Sequence, residues 1–171
     1  MKRNHSCAVH HLAAGAALAV ASLLLIAALR TDAADQASIK PSSKDKCPVC
    51  GMFVSKYPDW TSSIVFKDGL AVYFDGAKDL FKYLADPGLY TPGRPAKDIE
   101  SIFVRDYYSV QPVNGRTAYY VAGSDVSGPM GRELIAFGKE SDAREFLKDH
   151  NGRRLLRFHE VTAEILRSLD K

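Results

Sequence analysis

Residues 62–88 read SSIVFKDGLAVYFDGAKDLFKYLADPG, and the change of period inside this stretch decides the fold. Residues 62–67 are rich in β-branched and aromatic side chains, which suit a pleated, half-buried surface. Asp68-Gly69 is a two-residue hairpin signal, and residues 70–74 make the return strand. The pattern then turns helical. Asp75 is placed to cap a helix over residues 77–86, whose Leu80, Phe81 and Leu84 fall on one face. Pro87-Gly88 stops it.

Downstream the same order recurs. After a loop rich in Pro and Gly, residues 99–108 (IESIFVRDYY) read as a third strand. Residues 118–122 (AYYVA) and 133–137 (ELIAF) form a second strand pair, and Ser141 is placed to cap a helix carrying Ala143, Phe146 and Leu147. Asn151-Gly152 ends that helix, residues 155–161 return as a strand, and residues 161–169 close the chain as a short helix with Ile165, Leu166 and Leu169 inward. The expected fold is α+β: two ββαβ units, over residues 47–115 and 116–171, in one compact exported domain. Their sequences are too unlike to be called a repeat.

Upstream, the chain begins Met1-Lys2-Arg3, and residues 12–29 contain only Ala, Gly, Leu, Val, Ile and Ser. A basic start, an apolar middle and small residues at Ala33-Ala34 describe a signal peptide over residues 1–34. Eighteen apolar residues also suffice for an uncleaved membrane anchor. Either way the remainder is exported, with an inner-membrane attachment in the second case. Residues 35–46 (DQASIKPSSKDK) are polar and form a tether. Cleavage after Ala34 leaves 137 residues with a net charge near +1. That balance lacks the clustered basic footprint of a nucleic-acid binder.

Chemistry concentrates in sulfur. Cys7 leaves with the leader, so Cys47 and Cys50 are the cysteines of the mature chain. With two residues between them, they close too small a loop to serve as a structural staple. Metal capture or thiol exchange uses that spacing better. Thiolate with thioether favours Cu(I), and Met52 reaches the side of Cys50 if the segment is extended; packing in the core is its plain alternative. Met130, in Ser127-Gly128-Pro129-Met130-Gly131, stands in a loop between two strands, where a core side chain does not belong. His150 suits a helix end. His159 sits in the last strand on the side away from the core, and is the candidate third ligand. Asp75 and Asp79 read as a cap and a solvated helix face. No nucleophilic triad, paired-carboxylate arrangement or phosphate loop stands out, so no enzyme activity is expected.

Three segments in order, Cys47-Pro48-Val49-Cys50-Gly51-Met52-Phe53, Tyr73-Phe74-Asp75-Gly76-Ala77-Lys78-Asp79 and Gly128-Pro129-Met130-Gly131-Arg132-Glu133-Leu134, with Gly123-Ser124 before the last, resemble the NosL family. The likeness runs from about Lys46 to about Glu160. It implies a copper chaperone of two ββαβ units that binds Cu(I) through Cys50 and Met130, with Cys47 and Met52 at neighbouring motif positions. It also implies a partner, nitrous oxide reductase or its copper-site assembly complex, including a membrane transporter-like component. Many members carry a lipidated cysteine after the apolar segment. None stands there in this chain, which argues against a lipid anchor and leaves room for a related copper enzyme as recipient. The competing classes are a thiol–disulfide oxidoreductase using Cys47 and Cys50, and a small zinc protein recruiting His150 and His159.

Overall fold

The computed structural model describes residues 40–170, and the expected signal or anchor segment lies outside them. Strand β1 (Ser62–Phe66) pairs antiparallel with β2 (Ala71–Phe74), closing the Asp68-Gly69 hairpin. Helix α1 (Ala77–Ala85) follows, then the one-turn α2 (Pro87–Tyr90) and β3 (Ile99–Arg105). β3 returns beside β1, and a short strand β4 (Pro112–Asn114) pairs with its outer edge. The sheet order is β2-β1-β3-β4.

A second sheet, ordered β6-β5-β7, is built from β5 (Tyr119–Gly128), β6 (Gly131–Phe137) and β7 (Arg154–Arg157). Helix α3 (Glu140–Asp149) lies between β6 and β7 in the chain, and α4 (Ala163–Leu169) ends it. Both expected ββαβ sets are therefore present, with β4 added. β4 leaves no signal in the sequence, because three residues headed by proline carry no alternation, and proline suits such an edge.

Residues 120–122 of β5 and 133–137 of β6 are buried on both faces. Tyr120, Ala122, Leu134 and Ala136 join the main core with Phe74, Leu80 and Phe81. The alternate residues Val121, Ile135 and Phe137 pack on Ala143 and Phe146 of α3. Cover on both sides explains why ELIAF is apolar without a break. Phe81 of α1 meets Tyr120 of β5 edge to face, centroids 5.0 Å apart, so one aromatic contact ties α1 to the second sheet.

Several expected boundaries move, each for a local reason. β3 stops at Arg105 because the buried Asp106 carboxylate accepts the N–H groups of Ser109 and Gly138, which turns the chain. Ser141 is not a cap. Helix α3 already starts at Glu140, whose carboxylate pairs with Arg144 one turn on, and Ser141 donates to Asp142 instead. β7 ends at Arg157, whose N–H donates to Glu160 at 2.6 Å and folds residues 158–160 into a single tight turn. His159 is thus on an exposed turn rather than in a strand.

Candidate metal centre

The Cys47–Cys50 segment is a closed turn. An isolated bridge joins Lys46 to Phe53. Inside it the Cys47 N–H donates to the Met52 carbonyl at 2.9 Å, and the Gly51 N–H donates to the Cys47 carbonyl at 2.8 Å. Gly51 has φ +79°, a left-handed conformation that costs any other residue. Because the segment is a turn and not a strand, alternation does not place Met52 beside Cys50. Met52 is half-buried, and its backbone N–H points at the Cys50 sulfur.

The turn aims both thiols at the start of α1. Cys50 Sγ–H donates to Asp75 Oδ1 at 3.2 Å, and Cys47 Sγ–H donates to Asp79 Oδ2 at 3.4 Å. Ligand atoms of all four residues lie within 4.8 Å of one another. Asp75 and Asp79 are therefore neither a cap nor a solvated face, since both are buried. One end of β2 and the first turn of α1 present the two carboxylates four positions apart. The sequence did hold a signal: two acids at that spacing, the first in the slot where β2 ends. A cap and an exposed charge were the commoner readings of each taken singly.

This environment holds the thiols protonated. Burial, reinforced by the Asp79 and Asp75 charges, pushes the Cys47 thiol far up, against the N–H groups of Cys50 and Val49. Burial also pushes Cys50 up to about 12, opposed first by the Met52 N–H. A thiol exchange catalyst needs the opposite, a depressed pKa at a helix start. Here the turn leads only into a three-residue helical turn, Val54–Lys56. Two thiols and two carboxylates form a pocket that can take a cation in exchange for the thiol protons.

Met130 lies at the tip of the β5–β6 hairpin, 45% exposed. The hairpin rests on the same helix start: Lys78 Nζ donates to the Met130 carbonyl at 3.2 Å, and Lys78 stands next to Asp79 in the chain. The histidines are engaged elsewhere. His150 stacks on Phe146 and sits 3.3 Å from Asp125, and the exposed His159 is outside the four-residue cluster.

Comparison with known proteins agrees with this architecture. Residues 38–166 match the family model described as NosL. The chain is 31% identical to the copper-binding lipoprotein NosL of Stutzerimonas stutzeri, over 93% of this chain and 85% of that one. It also superposes on the crystal structure of the copper chaperone NosL from Shewanella denitrificans with a TM-score of 0.60. That match has 28% identity and covers 72% of this chain and 93% of the other.

Proposed function

Because the chain belongs to the NosL family, we propose that it is an exported, non-enzymatic Cu(I) carrier whose cargo is held by Cys50 and Met130. One observation carries the proposal: two thiols and two carboxylates converge on the helix start that also receives the Met130 hairpin. Cu(I) prefers thiolate and thioether to oxygen donors. Cys50 is the half-buried, more accessible thiol and is read as the primary ligand; Cys47, almost fully buried, is a supporting donor. Asp75 and Asp79 orient the thiols by accepting their hydrogen bonds before the metal enters. Met52 follows Cys50 closely enough to enter the sphere during transfer, and His159 is the candidate third ligand should its turn move.

Transfer then follows from ligand strength. Cu(I) displaces the Cys50 proton, which leaves to solvent, and the exposed thioether completes a low-coordinate site. A thiolate or imidazole of the recipient displaces the thioether first, since it is the weaker ligand and the one in contact with water. The recipient and the compartment rest on family membership and on the leader: nitrous oxide reductase or a related copper enzyme, loaded outside the cytoplasm. Deleting the gene and measuring copper in the purified reductase tests the recipient. A fully loaded reductase from the deletion strain counts against it.

The carboxylates favour a second reading, a divalent ion held by Cys47, Cys50, Asp75 and Asp79. Purification under reducing conditions with Cu(I) and Zn(II) both offered separates the two by metal content. Copper bound with loss on Cys50→Ala supports the carrier. Zinc alone supports the alternative.

A further inference from the structure

Glu133 is almost completely buried although it bears a carboxyl group, and the copper chemistry above does not use it. It follows Met130 by three positions, at the root of the same hairpin. Its Oε1 accepts the N–H of Lys78 at 2.5 Å and that of Leu134 at 2.8 Å. Lys78 is the second residue of α1. The helix's own N-cap residue, Gly76, offers no side chain to its free N–H groups. Glu133 thus caps α1 from another strand, 55 residues away in sequence.

Two glycines make the slot. Gly76 is extended (φ −169°), a conformation open to any residue, so what requires glycine there is space: a Cβ would overlap Glu133 Oε2. On the hairpin side, a Cβ at Gly128 would stand 3.0 Å from Glu133 Cγ. The carboxyl group is held between the two backbones, and Lys78 adds a second tie from its Nζ to the Met130 carbonyl. The segment so clamped lies between Asp75 and Asp79, the partners of the two thiols.

We propose that Glu133 is the positioning residue for Met130: it docks the hairpin on the first turn of α1 and so sets the thioether's reach toward Cys50. This rests on Met130 as a copper ligand, and the test separates the two claims. In the copper-free protein, Glu133→Ala raises the mobility of the Met130 ε-methyl group in methyl relaxation, whereas Glu133→Gln, which keeps the accepting oxygen and the shape, leaves it as in the wild type. Copper competition supplies the second arm. Glu133→Ala weakens Cu(I) binding about tenfold, the scale of losing a residue that orients a ligand. Glu133→Gln restores it, and Glu133→Ala combined with Met130→Ala is no weaker than Met130→Ala alone. Should Glu133→Ala fail to fold, Glu133→Asp, too short to reach the Lys78 N–H, takes its place with the same expectations. An unchanged methyl group, or losses that add in the double variant, overturns the positioning role. A null effect of Met130→Ala on copper binding sinks the ligand assignment instead, leaving the methyl measurement to judge the docking.

Discussion

At the residue scale the account turns on protons. Both thiols are pushed up, Cys50 to about 12, so at neutral pH each must release a proton to become a ligand. Binding through one thiolate makes Cu(I) affinity rise about tenfold per pH unit over the range below that pKa, and through two about a hundredfold. Chelator competition between about pH 6 and 9 reads the slope. A flat profile contradicts the Cys50 thiolate, while the steeper slope brings Cys47 into the sphere. Asp75→Ala removes the acceptor of the Cys50 thiol and the nearby negative charge. The thiol pKa then falls, and alkylation of Cys50 at neutral pH speeds up; an unchanged rate contradicts the described pairing. The sulfur residues were legible in the sequence because Cys and Met are rare and their chemistry is narrow. Asp75 and Asp79 were not, because a carboxylate has many ordinary uses and only the fold shows what faces it.

Elements decide whether those residues meet. The β5–β6 hairpin and the start of α1 are joined by Glu133, whose burial pushes it up from 4.5 to about 8. Its folded pKa lies above its unfolded value, so the native state holds a proton that the unfolded chain gives up. The stability this contributes is present below about 4.5 and is lost as pH rises through about 8. Urea unfolding at pH 5 and pH 8.5 should show the wild type losing stability relative to Glu133→Gln; parallel changes contradict the buried, protonated state. Gly51→Ala isolates another element. Nothing stands within 4 Å of the added methyl group, so its cost is the left-handed backbone alone, about 1–2 kcal/mol, seen as a lower midpoint in the same unfolding assay. Hairpin and helix were readable as elements from period and turn residues. Their docking was not, since a glutamate in an apolar strand gives no hint of the helix it caps.

For the whole molecule, the main core carries the burden of holding an early turn and a late hairpin against one helix. Phe81 links α1 to the second ββαβ set, meeting Tyr120 at 5.0 Å and Phe158 at 5.1 Å. Phe81→Ala should destabilise by about 3–5 kcal/mol and lose copper together with the fold, a joint loss that calorimetry with and without Cu(I) can follow. The ββαβ order was visible from sequence alone because each strand pair and helix announces itself locally. That the two sets share a core, and that residues 120–122 of β5 and 133–137 of β6 are covered on both faces, depends on contacts between halves that no local pattern encodes. The claim on which the function stands is that this shared core unites a thiolate and a distant thioether on one copper ion. X-ray absorption on the Cu(I)-loaded protein, beside Met130→Ala, measures that directly. The account predicts at least two sulfur nearest neighbours in the wild type and one sulfur fewer in the variant, and an unchanged sulfur count on removing Met130 would contradict it.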